Sequence, residues 1–127
     1  MVVIGIVTKD NQVLIVRRKQ KEGNLFWQFP GGVIEDEETE IQAVVREIEE
    51  ETGIESKAIK CLGSRIHPST KQSISYWICE FISGDICISD KDLDEAIWVN
   101  INDILKYFTT PIYSPIIDYL GIDNEND

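Results

Sequence analysis

This chain of 127 residues has little with which to cross-link itself. Its three cysteines, Cys61, Cys79 and Cys87, are odd in number and lack CxxC spacing. That argues against a disulfide framework or a zinc site, and they read as small buried or half-buried residues. No apolar run approaches the roughly 20 residues that a membrane helix needs, which leaves no membrane partner to expect. A basic leader with a cleavage site is also missing: MVVIGIV at the N-terminus reads as a first strand, and the expectation is a cytoplasmic protein. Positive charge is scarce, with 12 Lys and Arg against 23 Asp and Glu and a net charge of −11. Non-specific nucleic-acid binding needs a basic surface, so the balance argues against that class. Internal repeats, linkers and low-complexity segments are absent.

What is present suits one compact domain over residues 1–121 with a polar, frayed tail over 122–127. β-branched and apolar runs at 2–8 and 13–19, separated by KDNQ, read as a hairpin. Residues 21–24 read as a polar loop. Trp27, Gln28 and Phe29 alternate and run into Pro30-Gly31-Gly32, which breaks regular structure. Residues 39–52 read as a helix, with Thr39 and Gln42 fitting a capping box and Gly53 the position just past the C-terminus. Strands are expected at 58–66 and 73–82, joined by the turn HPSTKQ, and a short one at 96–99. Short helices are expected at 102–107 and 112–120. Strands, helix, strands, helix suggests an α/β fold, a mixed sheet packed by helices.

The negative charge is concentrated. From Glu35 to Glu55 there are ten acidic residues and one basic residue, Arg46. On a helical wheel at about 100° per residue, Ile41, Val44, Val45 and Ile48 form the stripe expected to face the core. Glu47, Glu50 and Glu51 fall on the other side, at i, i+3 and i+4, where like charges destabilise a helix. Near the C-terminal end they also oppose its dipole. A solvated acidic face is one reading. The other is a hard cation among the carboxylates, such as Mg²⁺, which prefers oxygen ligands and is often shared with substrate phosphates.

The surrounding pattern favours the cation. Gly32 to Ile54, GVIEDEETEIQAVVREIEEETGI, resembles the Nudix box: Gly, five residues, Glu, seven residues, then Arg-Glu-apolar-any-Glu-Glu-any-Gly-apolar. Gly32, Glu38, Arg46, Glu47, Ile48, Glu50, Glu51, Gly53 and Ile54 all match. WQFPGG before the box, VLIVRRK and DLDEAIWV follow the usual order of a MutT-like Nudix domain, so the resemblance covers nearly the whole chain.

The resemblance implies the Nudix α/β/α sandwich, a mixed β-sheet between helices, with the box as a loop–helix–loop. It implies Mg²⁺-dependent hydrolysis of the pyrophosphate linkage in a nucleoside di- or triphosphate derivative, in which water attacks phosphorus, with a house-cleaning role open to it. Mn²⁺ is an alternative ion. By box position, Glu47, Glu50 and Glu51 would bind the metal, and the backbone carbonyl of Gly31 often completes such a site. Glu47 could be ligand, general base or both. Arg46, counted with Glu47 and Glu50 as catalytic, would pair with Glu38 or a neighbouring carboxylate and orient the ligands. Family members often add an acid before the last strand. Asp92 and Glu95 stand there, as a further ligand, as the base, or as solvated loop acids.

Strand alternation sends only one of Arg17 and Arg18 toward the cleft. The second arginine of such a pair tends to reach the phosphates in MutT-like proteins, which selects Arg18 over an exposed strand-end role. Trp27 has two readings, core packing and base stacking. His67, the only histidine, is a solvated turn residue or a phosphate contact. MutT-like enzymes that read 8-oxoguanine use an asparagine near the C-terminal helix. Here Tyr113 stands in PIYSP, able to stack on a base but without an amide's donor and acceptor, so little preference for the oxidised base is expected. The partner expected is a small nucleotide. A sugar nucleotide, a dinucleoside polyphosphate, capped RNA, an isoprenyl pyrophosphate and a non-catalytic nucleotide-sensing module are the alternatives. Exposed sheet edges would be compatible with a homodimer, and nothing forces one.

Overall fold

A computed structural model describes residues 1–19, 25–68 and 70–122. The expected loop at 21–24 lies outside the described residues, as does the expected tail except Ile122. Strands run over Val2–Lys9 (β1), Gln12–Lys19 (β2), Leu25–Gln28 (β3), Gly31–Val33 (β4), Glu55–Ile66 (β5), Ser73–Ser83 (β6) and Leu93–Asn100 (β7). Helices run over Glu40–Thr52 (α1) and Ser114–Leu120 (α2), with a 3-10 helix over Ile101–Lys106. No helix among the described residues is long and apolar enough to cross a membrane.

The sheet is mixed, in the order β3-β2-β1-β6-β5, with β4 paired to β1 and β7 to β2. β1 and β6 are parallel, and the other pairs are antiparallel. The expected hairpin of residues 2–8 and 13–19 is closed only at its tip, where Thr8 faces Val13 and Lys9 faces Gln12. Beyond that the arms splay. Each strand has one edge to offer a partner in the gap, and residues 25–33 fill it: β3 pairs with β2, and β4 with β1. Pro30 interrupts the run as expected, but Gly31–Val33 resumes as a strand, a correction to the expected break. Pro30 also accepts from the Gly5 amide at 2.8 Å. The expected short strand at 96–99 begins earlier, at Leu93, because its whole length pairs with β2.

Alternation on β1 divides the core. Val3 and Val7 point to one face with Leu14, Cys79 and the α1 residues Ala43, Val44 and Ile48. Ile6, Val13, Ile15, Ile78, Ile104, Ile116 and Ile117 fill the other, under the 3-10 helix and α2. Ile122, expected in a frayed tail, is buried in this second cluster. Of the cysteines, only Cys79 is buried; Cys61 and Cys87 are exposed, contrary to expectation, and all three are free thiols.

Helix α1 starts at the expected box. The Thr39 hydroxyl accepts from the Gln42 amide, and the Gln42 side chain accepts from the Thr39 amide. Gly53 ends it at φ 78°, a left-handed conformation that an L side chain resists. The helix is rolled relative to the expected stripe. Ile41 is exposed, whereas Glu51 and Thr52 are buried beside Val44 and Ile48. The cause is the seat: Gly5 on β1 offers no side chain, and a Cβ there would lie 2.6 Å from Ile48 Cδ1. Ile48 therefore beds against the bare strand and carries Glu51 inward with it.

Ile48→Ala should cost about 2–5 kcal/mol, by loss of burial plus a cavity, and Thr39→Ala about 1 kcal/mol, by loss of the cap. Urea midpoints at constant m-value check both. Equal losses would mean that α1 is not seated through Ile48.

Candidate active site

Close backbone packing brings the α1 carboxylates onto β4. Glu47 lies over Gly32: a Cβ built there would stand 1.7 Å from Glu47 Oε2, so only glycine leaves the carboxylate its place. One turn on, Glu51 sits in the interior, its side chain 6% exposed. Its Oε1 accepts from the Gly31 amide at 3.1 Å, and its Oε2 accepts from Arg18 Nη2 at 2.6 Å. With the Gln28 amide oriented so that its oxygen faces the guanidinium, Gln28 accepts from Arg18 Nε at 2.8 Å. Arg18 is thus held between α1 and β3.

Arg46 gathers the other acids. Its Nε and Nη2 donate to the two oxygens of Glu38 at 2.6 and 3.0 Å. Nη1 donates to Glu47 at 2.7 Å and to Glu50 at 3.1 Å, and Nη2 reaches the Val33 carbonyl at 3.3 Å. The fork geometry of guanidinium suits this use. The Arg46 hydrogen bonds, with help from the Glu35 backbone, lower the Glu38 pKa to about 2. Burial raises the pKa of Glu47, opposed by Arg46. Burial raises that of Glu51 too, opposed first by Arg18 and then by the Gly31 amide. Four carboxylates meet two guanidiniums, so the fully ionised cluster keeps an excess of negative charge.

Among the described residues no three His, Cys, Asp or Glu side chains are already drawn around one point as a metal cage. Glu47 and Glu50 turn to Arg46, and Glu51 turns to Arg18. The donor set nonetheless fits a hard cation. It is all oxygen, it carries surplus negative charge, and each carboxylate oxygen has lone pairs beyond those already used. Gly31 contacts this cluster through its amide, next to the carbonyl named from the sequence.

The two arginines of β2 part company. Arg18 faces Glu51, whereas Arg17 pairs with Asp94, its Nε at 2.7 Å, and approaches Glu95 at 3.6 Å. Asp92 lies nearby, its amide donating to Asp90 at 2.9 Å and its carbonyl accepting from Lys19 at 3.1 Å. The contacts of Asp92 and Glu95 are therefore with the β2–β7 end, not with the α1 acids.

Trp27 and Tyr113 stand on the other face of the sheet, in the wall of a cavity of about 680 Å³. Trp27 meets Tyr107 edge-on at 5.5 Å, and Phe26, Phe29 and Phe108 add apolar wall. Tyr113 stacks on Tyr76 with ring centroids 4.4 Å apart. His67 also lines this cavity, its Nδ1 accepting from the Thr70 amide at 3.2 Å. Sequence reasoning passed over Gln28 and Asp94. Gln28 follows from register, since it faces Val16; Asp94 stands at an irregularity, between Leu93 facing Arg18 and Glu95 facing Arg17, which no local sequence pattern marks.

A family model described as NUDIX domain matches residues 1–120. The ADP-ribose pyrophosphatase of Methanocaldococcus jannaschii is 36% identical over 107 residues, covering 80% of this chain and 62% of that protein. The NAD-capped RNA hydrolase NudC of Escherichia coli O9:H4 is 30% identical over 102 residues, covering 80% of this chain and 39% of that protein. The chain thus spans less than two thirds of the length of these curated relatives. Among solved structures, a NUDIX hydrolase from Nitrosomonas europaea superposes with a TM-score of 0.81 at 21% identity, over 94% of this chain and 69% of that one, a likeness of fold.

Glu50 and Glu51 differ in setting and should differ in consequence. Glu50 is 60% exposed, and Glu50→Gln should leave the thermal midpoint in metal-free buffer unchanged or slightly raised, as like-charge repulsion falls. Glu51→Gln removes the charge that partners Arg18 in the interior and should cost about 1–3 kcal/mol. Denaturant melts of both in EDTA check this. Equal stability of the two variants would remove Arg18 as an energetic partner of Glu51.

Proposed function

We infer that this chain, which belongs to the NUDIX family, is a divalent-metal-assisted pyrophosphohydrolase of a nucleotide derivative. The observation that carries the inference is the cluster of Glu47, Glu50 and Glu51 beside Arg18, surplus in negative charge and made only of oxygen donors. The relatives are named for ADP-ribose and NAD-capped RNA. A pyrophosphate joining a nucleotide to a second group is common to both substrates, and it is the linkage proposed here.

Mg²⁺ or Mn²⁺, held by Glu47, Glu50 and Glu51, would neutralise phosphate charge and acidify a bound water. The chain's own groups divide the remaining work. Arg18 offers its guanidinium to the phosphates. Arg46, gripped by Glu38, holds Glu47 and Glu50 in orientation. Glu47, whose pKa burial raises against the pull of Arg46, takes the proton of the attacking water. The water oxygen bonds to phosphorus as the bridging P–O bond breaks, and a phosphorylated fragment leaves. The base of the nucleotide enters the aromatic cavity beside Trp27 and Tyr113.

Release of the two phosphorylated fragments from ADP-ribose, NAD and dinucleoside polyphosphates, and of phosphate or pyrophosphate from nucleoside triphosphates, followed by chromatography with Mg²⁺ and with EDTA, tests the inference. Release that needs Mg²⁺, and falls about a hundredfold or more in Glu50→Gln, is the expected result. Metal-independent release, or full activity of Glu50→Gln, would overturn the metal assignment. A second prediction separates the two β2 arginines. Arg18→Ala should raise KM with a smaller change in kcat, as for a group that grips phosphate in ground and transition states alike. Arg17→Ala should change little, because its partners are Asp94 and Glu95. Steady-state kinetics on the best substrate of the panel decides between them.

A further inference from the structure

The cavity opposite α1 carries a cation at its rim. Arg65, on β5, donates from Nε to the Tyr76 hydroxyl at 3.0 Å. Its guanidinium carbon stands 5.4 Å from the centre of the Tyr113 ring and 5.8 Å from that of Tyr76. Those rings are stacked on each other, 4.4 Å apart and inclined by 23°. Tyr113 is fixed from behind as well. β5 slips register between Cys61 and Gly63, Gly63 takes φ 145°, and a Cβ there would lie 2.8 Å from the Tyr113 hydroxyl oxygen. The guanidinium therefore rests on a rigid aromatic wall. One of its five N–H bonds is used at Tyr76, and among the described residues it makes no ion pair. Among the described residues the two terminal NH₂ groups remain as a planar pair of donors, on a side chain that lines the aromatic cavity.

A planar donor fork reads a ring edge that presents two neighbouring acceptors. Guanine and hypoxanthine present O6 and N7 in that arrangement, the match arginine makes to guanine elsewhere. Adenine offers N7 beside an N6 amino donor, which opposes one arm of the fork. Pyrimidines have no N7. We propose that Arg65 is the specificity-determining residue of the cavity and selects 6-oxopurine nucleotides, guanine and hypoxanthine, over adenine. The proposal rests on the reading that the cavity takes the base. It adds a consequence for oxidised guanine: N7 of 8-oxoguanine carries a proton, so one of the two acceptors is lost and the oxidised base binds less well than guanine.

Calorimetric titration of the full chain with GMP, IMP and AMP tests the proposal without turnover. GMP and IMP are expected to bind about tenfold to a hundredfold more tightly than AMP, the range of a two-bond arginine contact. Arg65→Met keeps the stem and removes the donors, and should bring GMP and IMP to the level of AMP. Arg65→Lys keeps the charge but not the fork, and should lose most of the preference too. Circular dichroism and thermal melts of each variant show whether the wall is intact. AMP binding as tight as GMP, a preference that survives Arg65→Met in a folded variant, or no binding of any of the three would each overturn the proposal. Parallel kcat/KM values for GTP, ITP and ATP separate it from the hydrolase inference. Selective binding without hydrolysis leaves Arg65 in its role and removes the enzyme. Hydrolysis without base preference does the reverse.

Discussion

The Arg46 guanidinium is the contact on which the carboxylate cluster depends. A helix with glutamates at 47, 50 and 51 pays for like charges on adjacent turns, near the end where the dipole already disfavours them. Arg46 meets that cost from the same helix. It grips Glu38 through two parallel bonds and uses a third nitrogen for Glu47 and Glu50. Because Glu38 lies in the loop before α1, the same guanidinium also ties that loop to the helix, and its bond to the Val33 carbonyl ties both to β4. A lysine could supply the charge but not this geometry. Neutralisation is only partial, so the cluster keeps an attraction for positive charge that full balance by arginine would remove.

The backbone beneath must be bare for this to work. Gly5, Gly31 and Gly32 lie under or beside α1, and a Cβ at each would strike Ile48, the β1 backbone and Glu47 respectively. The three absences bring the helix close enough for Glu51 to reach the Gly31 amide. Their placement depends in turn on the splay of β1 and β2. If the hairpin had zipped along its length, β4 would have had no edge of β1 to pair with, and the two glycines would not lie beneath the helix.

Much of this was legible in the chain, and what was not has a common cause. The limits of α1 follow from Thr39, Gln42 and Gly53 because capping is decided within a few residues. The pairing of Arg46 with Glu38 is local in the same sense, eight residues apart and one loop away. The inward roll of Glu51 was not legible. A helical wheel ranks side chains by polarity, and nothing in it records that the facing strand has a glycine at position 5. The splayed hairpin, the early start of β7 and the place of Gln28 all depend on which strand edge pairs with which, and those choices are made between residues tens of positions apart. Asp94 escaped notice because a slip of register at Arg17 and Arg18 brings it onto Arg17 alongside Glu95.

The sheet keeps two kinds of chemistry apart. The acids lie on the α1 face, from α1 and the loop before it, with Arg18 of β2 and Arg46; the aromatic cavity, with Arg65 at its rim, lies on the other and draws on β3, β5, β6 and the segment leading into α2. The two meet at β3, where Gln28 lines the cavity and also steadies Arg18. Such a division has a physical consequence. A substitution in the cavity wall away from Gln28 changes which ring fits without moving a carboxylate, since the sheet between them is packed solid with Ile6, Val7, Leu14 and Ile15. On the proposed function, the phosphate chemistry would then stay constant while the base it serves is altered, a way for one scaffold to carry many substrates. The opposite does not hold: a change at Gly32 or Arg46 strikes the acids themselves, and no adjustment in the cavity can restore them.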